Sequence, residues 1–286
     1  MRVITDIVSS RQAIRESQRA GETVGLVPTM GALHEGHISL IRAAKARCTH
    51  VAVTIFVNPT QFGPSEDFTA YPRPLEADLR ACESAGVELV FTPNVETMYP
   101  LGNKTTVHVS GLTEVLCGPL RPGHFDGVAT VVAKLFHILP ADIAFFGEKD
   151  YQQLAVIRQM VRDLNFPIEI IGCPTVREPD GMALSSRNAY LTAAQRTQAA
   201  CLSRALFHAV ERIRGGRCNL AAITKGIREE IAAAGPAHIK YVEIVDANTL
   251  ELLSTVDRPA RICLAVRIGS CRLIDNVGVD APQTHG

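Results

Sequence analysis

Residues 27–37 read VPTMGALHEGH, and this stretch decides the fold. It leaves a short apolar run, residues 23–27, that reads as a buried strand ended by Pro28. It then crosses a loop punctuated by Gly31 and Gly36 and enters a helical pattern from Ile38, with Leu40, Ile41, Ala44 and Cys48 apolar and Arg42, Lys45 and Arg47 outward. A helix N-terminus behind a glycine loop offers N–H groups and partial positive charge, so the stretch is expected to close over phosphates. His34 and His37 stand three apart on it, with Glu35 and the small Gly36 between them, and imidazole donates hydrogen bonds to phosphoryl oxygens. Two histidines with no third ligand nearby make a poor metal site, and no metal ligand is readable elsewhere.

Outward from this stretch, strands and helices alternate. Residues 50–57, HVAVTIFV, are nearly all apolar and β-branched, which suits a strand covered on both faces. A helix over 9–20 capped by serine precedes the opening stretch. A helix over 74–85, a strand over 87–91, a more exposed strand over 105–109, a helix over 125–139, a strand over 142–146, a helix over 151–164 and a strand over 168–171 follow it. This order predicts an α/β, Rossmann-like, mostly parallel sheet with helices on both faces. After Pro174 the character changes. A charged loop over 175–188 leads to a long helix from Thr192 to about Arg214, another from Asn219, and three strand candidates at 239–245, 260–266 and 271–276. The division expected is a nucleotide- and substrate-binding domain over 1–176 and a smaller α+β domain over 177–286 acting as a lid, with a disordered tail at 281–286.

Composition removes several classes of function. Of 286 residues, 47% are hydrophobic and 20% charged, and the formal net charge is zero, so neither nucleic acid nor an anionic membrane surface is an expected partner. No window approaches the roughly 20 apolar residues of a membrane span, and the first residues lack the apolar core of a signal peptide. Eight scattered cysteines without a Cys-x-x-Cys pair read as buried free thiols of a cytoplasmic protein.

Ligands of open α/β sheets bind beyond the carboxyl ends of the strands. Three segments follow strands directly and so gather at one rim: 28–37, 58–63 and 147–150. In the second, the amides of Asn58 and Gln61 suit a polar substrate, although a proline turn opened by Asn58 is an equal reading. In the third, Gly147 permits a tight turn, Lys149 brings a cation and Asp150 serves equally as a helix cap, with Gln153 on the same side of the first turn. At 184–187, Leu184-Ser185-Ser186-Arg187 supplies hydroxyls and a guanidinium suited to triphosphate oxygens, although taken alone it reads more readily as a polar loop that caps the following helix. Neither a Gly-x-x-x-x-Gly-Lys nor a Gly-x-Gly-x-x-Gly motif is present.

The set PTMGALHEGH, FVNPTQF, EDFTAYPR, GHFDGVATVV, FFGEKDYQQL and VREPDGMALSSRN resembles the pantoate–β-alanine ligases, or pantothenate synthetases, densely over the N-terminal two thirds. More remotely it resembles the nucleotidyltransferase superfamily with the His-x-Gly-His signature, with Leu184 where the second signature usually has methionine. The resemblance implies that ATP and pantoate give pantoyl-adenylate and pyrophosphate, and that β-alanine then displaces AMP. It implies Met30, Gly31, Ala32, Leu33, His34, Glu35, Gly36 and His37 around ATP, together with Gly147, Glu148, Lys149, Asp150, Val176, Leu184, Ser185, Ser186 and Arg187. Gln61 and Gln153 would hold pantoate, with Gln61 also near β-alanine and His37 a proton donor. Mg²⁺ with the triphosphate and a homodimer are also implied. Phosphoryl chemistry of this kind needs positioned donors more than a strong base, which casts His34, His37 and Lys149 as the catalytic set. The anhydride must be kept dry, and segments 62–73 and 180–188 are the candidate closing loops. Two rivals remain at this level: a nucleotidyltransferase that leaves a nucleotidylated product, and a non-catalytic nucleotide-binding regulator.

Overall fold

The computed structural model describes residues 1–64, 66, 68–216 and 219–280. Cys218 and the tail at 281–286 lie outside the described residues. The chain divides into two compact units, one of Met1–Thr113, Gly118–Glu148 and Gln153–Pro174, the other of Glu114–Cys117, Lys149–Gln152 and Thr175–Gly286. The long boundary thus falls two residues before the one read from the sequence, and two short pieces group with the second unit.

The first unit carries β1 (Arg2–Ile4), α1 (Ile7–Arg19), β2 (Val24–Thr29), α2 (Glu35–Arg47), β3 (His50–Ile55), α3 (Leu75–Ser84), β4 (Leu89–Phe91), α4 (Val95–Met98), α5 (His124–Ile138), β5 (Ile143–Gly147), most of α6 (Tyr151–Asp163) and β6 (Glu169–Cys173). Its six strands pair in the order β1-β4-β3-β2-β5-β6, all parallel. Consecutive strand residues point to opposite faces, yet Val51, Ala52 and Val53 are all fully buried, so both faces of the sheet are covered. Ile41 and Ala44 of α2 join Val27, Val53, Val90 and Phe145 in one apolar cluster, as the helical spacing predicts.

Several local expectations are corrected. The cap of α1 is Asp6, whose carboxylate accepts from Ser9 N at 2.8 Å, and the serines lie inside the first turns. Pro28 does not end β2, which runs to Thr29. Pro28 pairs with Thr54 but lies beyond the last residue paired with β5, so its missing N–H costs no ladder bond on that side. Residues 105–109 form no strand; Val107 N donates instead to Thr130 Oγ1 of α5 at 2.9 Å. Helix α2 begins at Glu35, three residues earlier than its apolar pattern, because polar residues of a first turn leave no periodic signal.

The second unit carries α7 (Ala193–Ala199), α8 (Cys201–Arg214), α9 (Leu220–Ala233) and an antiparallel sheet of β7 (His238–Asp246), β8 (Ala260–Ile268) and β9 (Cys271–Val279). Leu202, Ala205, Leu206, Ala209, Val210 and Ile213 recur at helical spacing and join Val242, Ile244, Ile262, Leu264 and Val266 in its core. The single helix expected from Thr192 is broken at Ala200, where no glycine or proline marks it. Arg196 on the first piece is tied to Glu178 and Asp180.

Candidate active site

In parallel register Thr29 stands beside Ile55, and β5 runs the same way, so the segments after β2, β3 and β5 leave one edge of the sheet. This is the rim expected from the sequence, at its carboxyl end.

The loop between β2 and α2 is tightly wound. Gly31 and Ala32 both have left-handed backbones, with φ of 82° and 50°. For alanine that conformation costs about 1 kcal/mol and must be held by its surroundings. Asp78 of α3 does so: Ala32 N and Leu33 N donate to its two carboxylate oxygens at 2.9 and 2.8 Å. Gly31 N donates to Thr29 Oγ1 at 3.2 Å.

His34 is the cap of α2. Gly36 N donates to its Nδ1 at 3.1 Å, and His34 N donates to Nδ1 of His37 at 3.3 Å, a reciprocal box built from two histidines. An Nδ1 that accepts from a backbone N–H carries no hydrogen, so in both neutral rings the hydrogen sits on Nε2. The rings lie 4.1 Å apart between centroids. His37 N and Ile38 N donate to His34 O. Every backbone N–H from Gly31 to Ile38 except that of Glu35 therefore has an acceptor among the described residues. Most N–H groups of this loop are thus met inside the protein, and the Nδ1 atoms of both histidines are used in the cap. Glu35 turns to Arg42 on the exposed side of the helix.

After β3, Asn58 caps a 3-10 turn over Pro59–Gln61. Both Asn58 and Gln61 are buried. Asn58 Oδ1 receives Tyr99 OH at 2.8 Å and Thr60 Oγ1 at 2.9 Å, while its Nδ2 donates to Gln61 Oε1 and Gly127 O, both at 3.1 Å. Burial pushes the Tyr99 hydroxyl pKa up, which keeps it a donor. Both N–H groups of Asn58 are used within the protein, one of them on Gln61. Gln61 Nε2 meets Met30 Sδ at 2.8 Å, which joins this turn to the histidine loop. A Cβ on Gly127 of α5 would strike the backbone of Thr60 and lie 2.7 Å from Gln61 N, so the helix is docked directly on the turn. Gln153 is half-buried in the first turn of α6 and makes no side-chain hydrogen bond among the described residues.

Three more groups of this unit were not legible in the sequence. Arg121 clamps Glu66 with Nε and Nη2 at 2.7 and 2.6 Å, its Nη1 lies 2.6 Å from His124 Nε2, and His124 Nδ1 donates to Gln61 O at 2.8 Å. No short motif announces a network whose members stand 55 and 63 residues apart. Asp78 was missed for the same reason.

In the second unit, Lys149 Nζ lies 3.7 Å from Asp150, half of whose side chain is exposed, and Asn276 Nδ2 donates to Lys149 O at 2.9 Å. Asp150 belongs to a 3-10 turn, Glu148–Asp150, that runs straight into α6. Leu184 N donates to Val176 O at 3.0 Å, which brings those two predicted residues side by side in a short hairpin. Ser185 Oγ accepts from Arg187 N at 3.3 Å as the cap of the turn Ser186–Tyr190. Asn188 Nδ2 reaches Glu178 at 3.0 Å and Ala183 O at 3.1 Å, which holds the hairpin and the turn together.

Among the described residues no set of three or more His, Cys, Asp or Glu side chains is gathered as a metal site, and no helix is long and apolar enough to cross a membrane.

Residues 2–278 match the sequence profile of the family described as Pantoate-beta-alanine ligase. The pantothenate synthetase of Acetivibrio thermocellus is 52% identical over 280 residues, 98% of this chain and 100% of that one. That of Dinoroseobacter shibae is 54% identical over 278 residues, 97% of this chain and 99% of that one. The crystal structure of pantothenate synthetase from Thermus thermophilus superposes with a TM-score of 0.92 at 47% identity, covering 97% of this chain and 99% of that one. The pantoate–β-alanine ligase of Francisella tularensis, crystallised with β,γ-ATP and β-alanine, superposes at 0.80 with 37% identity, covering 97% of each chain.

Proposed function

Because the chain belongs to the pantoate–β-alanine ligase family, we infer that its histidine loop and its glutamine turn carry out the family's reaction. ATP and pantoate form pantoyl-adenylate: a pantoate carboxylate oxygen bonds to the α-phosphorus as the bond to pyrophosphate breaks. The amine of β-alanine then attacks the acyl carbon, AMP leaves, and pantothenate is released. The observation that carries the assignment is the 2.8 Å approach of Gln61 Nε2 to Met30 Sδ, which puts an amide donor beside the loop of His34 and His37.

The assigned roles follow from the groups. With Oε1 held by Asn58, Gln61 turns its N–H side to the pantoate oxygens, and Gln153 supplies a second amide. Negative charge builds on the α-phosphoryl oxygens as the carboxylate attacks, and the Nε2–H groups of His34 and His37 are donors fixed in advance by the helix cap. Lys149 and Arg187 are assigned to the triphosphate, with residues 30–37, Gly147, Glu148, Asp150, Val176, Leu184, Ser185 and Ser186 making up the rest of the ATP site. Magnesium enters as the counter-ion of the triphosphate. Magnesium is held mostly by phosphate oxygens and water in such complexes. We place the enzyme in the cytoplasm, where its free cysteines stay reduced, and assign it a homodimer.

The test is incubation with ATP, Mg²⁺, pantoate and β-alanine, assayed for pantothenate, AMP and pyrophosphate in equal amounts. Omission of β-alanine should leave pantoate-dependent exchange between ATP and pyrophosphate. A stable nucleotidylated product, or no pantoate-dependent turnover, overturns the reading.

A further inference from the structure

Asp78 is 2% exposed, and no basic side chain among the described residues forms an ion pair with its carboxylate. Its partners are the backbone N–H groups of Ala32 and Leu33, 46 and 45 residues away in sequence. The loop is shaped to receive it. A Cβ on Gly31 would stand 2.8 Å from Asp78 Oδ2, and φ of 82° and 50° at Gly31 and Ala32 turns successive N–H groups toward one point. Consecutive N–H groups in such a bend form a concave site for an anion. Here the anion is part of the protein. The next residue after Leu33 is His34, whose N–H and ring are committed to the cap of α2.

We propose that Asp78 is a positioning residue for ATP: by filling the N–H concavity of Ala32 and Leu33 it fixes the loop so that the His34 and His37 rings, and not the backbone, meet the nucleotide phosphates. The proposal rests on the assignment of residues 30–37 to ATP. Its sign is diagnostic. A buried negative charge near a triphosphate that did nothing else would weaken ATP binding, so its removal would tighten it. Removal of a positioning group loosens it, because the loop loses two of the hydrogen bonds that hold Ala32 in its left-handed conformation.

The experiment compares Asp78→Asn and Asp78→Ala with the parent, measuring KM for ATP and for pantoate, the pantoate-dependent ATP–pyrophosphate exchange rate and the melting temperature. Asp78→Asn keeps volume and one acceptor oxygen, so it decides the matter even where Asp78→Ala fails to fold. The expected result for folded Asp78→Asn is a KM for ATP raised roughly tenfold, as for a lost buried hydrogen bond, with exchange slowed and KM for pantoate within about twofold of the parent, no larger than the effect of a remote substitution. An unchanged or lower KM for ATP in the folded variant overturns the proposal, as does a fall in melting temperature with both KM values unmoved. His37→Ala separates the two levels. If that variant is impaired while Asp78→Asn binds ATP like the parent, Asp78 alone is removed. If His37→Ala is itself unimpaired, the ATP assignment of the loop falls and the proposal falls with it.

Discussion

Asn58 Nδ2 donates to Gln61 Oε1 across 3.1 Å, and this bond decides which end of the Gln61 amide is presented to a substrate. The direction is forced from behind. Thr60 N can only donate and stands at Asn58 Oδ1 with the Tyr99 and Thr60 hydroxyls, while Gly127 O can only accept and stands with Gln61 Oε1 at Nδ2. A reversed Asn58 amide would set oxygen against the Gly127 carbonyl oxygen.

Asn58→Asp is expected to undo this arrangement, because it replaces the donor by an oxygen facing Gln61 Oε1. Loss of a buried hydrogen bond with repulsion in its place is worth about 1–3 kcal/mol, or roughly 5–150-fold in KM for pantoate. Steady-state kinetics at saturating ATP read it out; an unchanged pantoate KM would remove Asn58 from this role.

Gln61→Ala takes away the amide itself. Pantoate affinity should fall while ATP affinity measured without pantoate holds, since the bond to Met30 Sδ is a weak one to sulfur. Calorimetric titration with pantoate that gives the parent affinity would contradict the assignment.

His34 does two jobs that substitution can separate. His34→Ala loses the cap of α2, at a cost of about 0.5–2 kcal/mol. His34→Ser restores an acceptor for the first-turn N–H but no Nε2–H donor. The serine variant should therefore recover the melting temperature while turnover stays low; recovery of both would reduce His34 to a cap. For His37→Ala, kcat should drop about 10²–10³-fold, as for one transition-state donor.

Gly127→Ala drives a methyl group into the backbone of Thr60. Overpacking at such a contact costs about 1–3 kcal/mol and displaces the turn bearing Gln61. The expected outcome is a lower melting temperature together with a raised KM for pantoate. A variant with parental values for both would show that α5 and the turn are free to part.

The seven described cysteines are all buried and free. Burial pushes the Cys82 thiol up to about 11 and Cys263 up to about 12, so at neutral pH neither is a thiolate. In the native protein these seven should react slowly with a disulfide reagent, and all eight cysteines of the sequence should react rapidly in denaturant. Fast reaction of several thiols in the native state would contradict the burial.

The sequence alone determined the alternation of strands and helices, and with it a parallel sheet, because side-chain periodicity follows directly from burial on one or both faces. It also placed Gln61, His34 and His37 in segments leaving one rim, since parallel strands send every such segment the same way. Only the tertiary structure decided how the groups on that rim are used. The N–H groups of Ala32 and Leu33 go to Asp78, the orientation of Gln61 comes from Asn58 and Tyr99, and the hydrogens of His34 and His37 are placed on Nε2 by a helix start that no apolar pattern marks. The reason is physical. A periodic pattern reports which face is apolar, whereas a hydrogen bond depends on which donor and acceptor the fold brings within about 3 Å, and here the deciding partners stand up to 69 residues apart along the chain.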